Sequence, residues 1–184
     1  MKKTLSMIIC VLAVTALFVG CGKAADKGEY AEVIDSLKSG QAYAYVDIAG
    51  GEHQALLVAD DTYDDGNGHN AAISAALYCL DTDGSVINYT NVLSEGTAYP
   101  IAVKDGYLYY GGNHHVAKEY IDLEYASVVT KEDAEESFDE NGDETYYYFS
   151  LDDEFDGEVD DDSHLMQLFD EYGEADVVDF TVVE

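Results

Sequence analysis

Residues 101–112 read Ile-Ala-Val-Lys-Asp-Gly-Tyr-Leu-Tyr-Tyr-Gly-Gly, and this stretch decides the fold. Two apolar segments, 98–103 and 107–110, flank Asp105-Gly106, and Gly111-Gly112 follows directly. Such pairs supply the positive φ values that tight hairpin turns require. Upstream, 42–48 alternates, with Tyr43 and Tyr45 on one face and Ala44, Val46 and Ile48 on the other. Residues 55–59 are continuously apolar, and 73–80 and 86–93 are strand-like segments separated by Asp83-Gly84. Downstream come 115–129 and the tyrosine-rich 145–151. Successive hairpins imply antiparallel pairing, because parallel strands need long crossover connections.

Helix signals occur only near the two ends. Tyr30, Val33, Ile34 and Leu37 form one apolar stripe over 30–39, and Gly40 follows as a stop. Leu165, Leu168, Phe169 and Tyr172 form another over 165–172, with Ser163 as the expected N-cap and Gly173 as the end. The chain closes on 177–183, where Val178, Phe180 and Val182 are expected to face inward. Pro100, the single proline, falls in a strand signal and implies an edge or a bulge. The fold expected is α+β: an antiparallel β-meander sheet of about seven to nine strands with one short helix near each end. Residues 30–184 form one acidic domain, long enough for a single hydrophobic core. Residues 132–162 hold sixteen acids and no lysine, so 132–144 and 152–162 read as solvated loops around the strand at 145–151.

The N-terminus carries a different message. Lys2 and Lys3 precede an apolar run over 7–19, followed by Gly20-Cys21-Gly22. The run is shorter than the about 20 residues of a spanning helix and has the layout of an export signal. Phe18-Val19-Gly20-Cys21 resembles the lipobox of bacterial lipoproteins, with Phe18 where leucine is usual. That resemblance implies cleavage after residue 20 and a diacylglyceryl group on Cys21. Residues 21–29 then form the lipidated N-terminus and tether, and the domain lies on the extracytoplasmic face of the cell membrane. Two acyl chains hold where one binds only marginally. The alternative is an ordinary secretory signal with a chance cysteine.

Cys10 leaves with such a signal and Cys21 takes lipid, so Cys79 is the remaining thiol and no internal disulfide forms. Cys79 shares a face with Ala75 and Leu77 and reads as a buried apolar residue rather than a nucleophile. The formal net charge is −31 and there is no arginine. Phosphate backbones are repelled and nucleic acid is excluded as a partner, while cations, basic proteins and neutral glycans remain. The same charge also serves plain solubility.

Residues 43–57, Tyr-Ala-Tyr-Val-Asp-Ile-Ala-Gly-Gly-Glu-His-Gln-Ala-Leu-Leu, carry a second resemblance. The segment is similar to one in small lipoproteins of Gram-positive anaerobes, which read Y-D-I-D-G-D-G-x-x-E-L-L after a short N-terminal helix. The resemblance covers about residues 30–184 in its order of elements and implies a tyrosine-rich antiparallel sheet. In that motif the aspartates imply a calcium site, since hard oxygens suit the ion. Here Asp47 remains, while Ala49 and Gly51 replace the other two and Glu52 follows.

A separate calcium candidate is the loop 60–68, where Asp61, Asp64 and Asp65 cluster with Asp60, Asn67 and two glycines. It lacks the twelve-residue EF-hand pattern and also reads as a plain turn. Residues 139–144 are comparable. The five histidines show no zinc spacing, and no nucleophile elbow, Walker loop or H-E-x-x-H helix occurs. Tyr107, Tyr109 and Tyr110 form the densest tyrosine cluster and a candidate binding surface, with core packing as the alternative. The reading these features favour is a lipid-anchored, non-catalytic binding module. A calcium-stabilised version of it comes next, and a carbohydrate-active enzyme last.

Overall fold

The computed structural model describes residues 27–48, 54–122 and 127–184. A 3-10 turn, Gly28–Tyr30, runs into α1 (Ala31–Asp35). A first group of strands follows: β1 (Ala42–Val46), β2 (Ala55–Ala59), β3 (Tyr63–Asp64), β4 (Asn70–Ala71), β5 (Ser74–Leu80) and β6 (Val86–Leu93). A second group comprises β7 (Ala102–Lys104), β8 (Tyr107–Gly112), β9 (His115–Asp122), β10 (Ser127–Phe138), β11 (Glu144–Ser150) and β12 (Phe155–Val159). α2 (Ser163–Gly173), β13 (Asp176–Val177) and β14 (Thr181–Val182) complete the chain.

The protein is α+β and strand-rich, and the described pairings are antiparallel. The meander expected from the turns runs unbroken through β7 to β12, with β13 added beside β7. The expectation of a single sheet of seven to nine strands is corrected. The described residues hold fourteen strands in three sheets: the seven-stranded meander, a five-stranded sheet β14-β1-β2-β5-β6, and the β3–β4 hairpin. Four of these strands span two residues each, too short to leave an alternation pattern.

Alternation assigns the layers. Ala44, Val46, Leu57, Leu77, Cys79 and Val92 face Ile101, Leu108, Ile121 and Phe180 in one core between the two large sheets. On the far side of the smaller sheet, Tyr30 and Ile34 cover Leu56 and Val58. On the far side of the larger sheet, Leu165, Leu168 and Tyr172 cover Tyr109, Val116 and Ala134. The order is helix, sheet, sheet, helix. β2 is buried along its whole length because it has a layer on each face, which explains its continuous apolar run.

Several local expectations change. Residues 132–144 are not a loop: β10 runs through Phe138, and only the turn at 139–143 is irregular, closed by amides of Asn141 and Asp143 donating to Asp139. Residues 152–162 contain β12. Asp156 and Glu158 lie on that strand, while the acids at 152–154 and 160–162 are exposed in the turns on either side of it, as expected. The first helical segment ends at Asp35, short of the expected 39, and Pro100 precedes β7 instead of lying in it. Ser163 is the first helical residue and Asp162 occupies the cap. Val182 is exposed, whereas Val178 and Phe180 are buried. Asp105 and Gly106 both take positive φ, as the turn requires. Gly111 and Gly112 instead lie within β8, where a Cβ on Gly111 would run into the His115 carbonyl oxygen.

Candidate functional site

α2 lies across the outer face of the larger sheet, and its C-terminal end stops short of β7 and β13. Tyr99 and Pro100 enter this gap from the segment before β7. The result is a cavity of about 270 Å³ walled by Tyr99, Phe169 and Tyr172, with Pro100, Ala102 and Val177 among the smaller residues that line it. The Tyr99 ring centre lies 5.9 Å from Phe169 and 6.4 Å from Tyr172. Tyr172 is backed in turn by Tyr109, stacked at 6.0 Å with 21° between planes.

The hydroxyls of the two wall tyrosines are engaged. Tyr172 donates to the Pro100 carbonyl at 2.6 Å, and Tyr99 donates to Asn113 Oδ1 at 3.0 Å. Burial pushes the Tyr172 phenol above its ordinary range. The cavity therefore presents ring faces and small apolar side chains, with polar atoms also exposed in its wall, a composition typical of small-molecule sites. The last turn of α2 has no basic residue, so its partial negative charge is uncompensated from within the helix. Just outside, Lys104 Nζ pairs with Glu174 at 2.6 Å.

Beneath α2, next to this cavity, Lys118 Nζ donates to Glu132 at 2.9 Å and Glu171 at 2.7 Å. Tyr148 donates to Glu132 at 2.6 Å and Tyr109 donates to Glu171 at 3.2 Å. Burial opposes the lysine's charge, but the two carboxylates outweigh it and raise its pKa above the ordinary value. This network holds the helix that forms one wall of the cavity.

Tyr107, Tyr109 and Tyr110 do not form one surface. Tyr109 is 2% exposed under α2, and Tyr107 is on the same face with Lys118 Nζ 5.0 Å from its ring centre. Tyr110 points the other way, toward the core between the sheets. The alternation of a strand separates them. Asp61, Asp64 and Asp65 share one segment, but their carboxylates do not converge. Asp64 accepts from the Gly66 amide, while Asp65 accepts from the amides of Asn67 and His69 and pairs with His69 Nδ1 at 2.8 Å. The His69 contact, more than the amides, holds the Asp65 carboxyl below the usual range. No group of three or more metal-ligating side chains assembles among the described residues. Asp47 is exposed, and Cys21, Ala49, Gly51, Glu52 and His53 lie outside the described residues.

One cluster had no signal in the sequence. His115 Nε2 lies 2.8 Å from Asp133, which raises the imidazole pKa despite burial. Glu119 is raised chiefly by burial, with Tyr110 hydrogen-bonded to it. Both His115 and Glu119 therefore hold their protons more firmly than they would in the unfolded chain. The cluster faces the smaller sheet, on the opposite side of the larger sheet from the aromatic cavity. Cys79 is buried, and burial pushes its thiol up to about 12, which makes it a core residue rather than a nucleophile. His164 stacks on Tyr148 at 3.9 Å.

The aromatic cavity was only half visible in sequence. Phe169 and Tyr172 belong to the apolar stripe of the second helix, but Tyr99 joins them only through the return of 98–100 across the sheet. Comparison with protein-family models, curated proteins and solved structures returned no match. No described helix is long and apolar enough to cross a membrane.

Proposed function

We propose that the protein is a lipid-anchored, extracytoplasmic binding module in which the aromatic cavity beside α2 takes a small ligand. Phe18-Val19-Gly20-Cys21 after a basic and apolar leader supports the anchor. The observation that carries the binding reading is the cavity itself. Three aromatic walls meet around about 270 Å³, and the hydroxyls of the two tyrosines among them are already bonded to the protein. A surface helix normally closes such a gap with apolar side chains, because unfilled volume costs stability.

Saturation-transfer NMR with a library of small fragments tests this. Fragments are expected to bind the wild type and to be lost in Ala98→Trp, which places a large ring at the exposed rim. Equal binding to both proteins would refute the cavity as the site. The calcium-stabilised alternative has no converging ligand set behind it among the described residues.

A further inference from the structure

We infer that the cavity beside α2 recognises an organic cation carrying an alkylated, quaternary ammonium group; this rests on the cavity being a binding site. Four observations select the class. The walls are the rings of Tyr99, Phe169 and Tyr172, with the Tyr99 ring centre 5.9 Å from that of Phe169 and 6.4 Å from that of Tyr172. The two pairs are tilted by 42° and 37°, so the rings pack on one another, and a cation seated against the half-exposed rings of Tyr99 and Phe169 lies within the about 6 Å over which cation–π attraction acts.

The hydroxyls of Tyr99 and Tyr172 are taken, and the other lining residues are Ala98, Pro100, Ala102, Gly173, Ala175 and Val177. The wall side chains hold no uncommitted donor, so the oxygens of a sugar would be buried there without a side-chain N–H or O–H to pair with, which is unfavourable. A quaternary ammonium has no N–H to satisfy. Its methyl groups meet the apolar walls while its charge meets the ring faces.

The local and global fields agree. The C-terminal end of α2 borders the cavity with no basic residue in its last turn. Glu174 and Asp176 follow immediately, against Lys104 as the near cation. A chain of net charge −31 also concentrates cations and repels anions at its surface. A simple metal ion is not selected, because the lining holds no carboxylate.

The test is calorimetric titration of the full chain, solubilised in a neutral maltoside detergent. The probes are choline and its neutral carbon isostere, 3,3-dimethyl-1-butanol. Choline is expected to bind at least tenfold more tightly than the isostere and to weaken as salt rises. Phe169→Leu is expected to weaken choline at least fivefold while leaving the isostere within twofold, since it removes a ring face but keeps apolar bulk. Equal affinity for the two probes, or a stronger isostere, would overturn the cation inference while leaving the cavity as an apolar site. If neither probe binds but fragments still separate wild type from Ala98→Trp, the cation inference fails alone. If fragments fail as well, the binding reading falls with it.

Discussion

Lys118 on β9 donates a 2.7 Å hydrogen bond to Glu171 on α2, a charge pair set between the larger sheet and the helix that covers it. The lysine also binds Glu132 on β10, so one cation holds two carboxylates that would otherwise repel each other. Its side chain is 12% exposed. Removing one partner of such a group leaves buried charge uncompensated. Lys118→Met should therefore destabilise the protein by about 3 kcal/mol, the low end expected for a buried pair because some exposure remains. Chemical denaturation measures this; a loss within the about 0–1 kcal/mol of a surface pair would contradict the assignment.

Stability should peak in mildly acidic solution. His115 has a folded pKa above its ordinary 6.5, so the stability it adds is complete below that value and fades as pH rises through the folded pKa. Glu119 is also raised, from 4.5, and holds its proton more firmly when folded, which again lowers stability as pH rises. Asp139 and Asp161 are lowered from 3.8, chiefly by backbone amides around Asp139 and by Ser163 beside Asp161, and Asp65 is lowered by His69. Their contribution is present above that value and lost as pH falls through the folded pKa. Thermal unfolding is expected to give a higher Tm at pH 5.5 than at pH 8. His115→Gln should narrow the difference. A Tm that climbs steadily to pH 8 would show that the cluster is miscast.

Divalent ions should act on the acidic surface as a whole. Asp65 is held by Asn67 and His69 and Asp64 Oδ1 by the Gly66 amide, and no group of three ligating side chains forms around them among the described residues. Calcium and magnesium are expected to raise Tm by equal amounts at matched ionic strength, through screening of the −31 charge. Asp65→Asn should lower Tm in EDTA as much as in calcium. A rise specific to calcium and abolished by that substitution would restore the loop as a metal site by linkage.

Cys79 gives a probe of the inter-sheet core. It is 3% exposed, with its thiol held up at about 12 by burial. Alkylation by iodoacetamide should be far slower in the native protein than in denaturant, because the thiolate is the reactive form. Comparable rates in the two states would place Cys79 outside the core.

The sequence carried the meander and the helix positions because those signals are local. Asp105-Gly106 makes its own turn, and the stripes of Tyr30, Ile34 and of Leu165, Leu168, Tyr172 name the buried face of each helix. The split into two large sheets was not legible, since β6 and β7 follow one another in sequence yet fall in different sheets, and β14 joins β1 from the far end of the domain. The acids of β10 misled because charge alone says loop. Lys118 answers Glu132, His115 answers Asp133 and His114 answers Glu136, all across one strand pair or its turn. Tyr107 and Tyr110 misled through proximity in sequence, which on a strand means opposite faces. Tyr99 could not be placed with Phe169, because the approach of 98–100 to the helix end is a tertiary event with no periodic trace.

Metabolic labelling of the full chain in a bacterial host with an alkyne fatty acid tests the anchored-module reading most directly. The account predicts label on the wild type, which fractionates with the membrane, and neither label nor membrane retention for Cys21→Ala. An unlabelled wild type, or a Cys21→Ala variant that keeps its label, would contradict it.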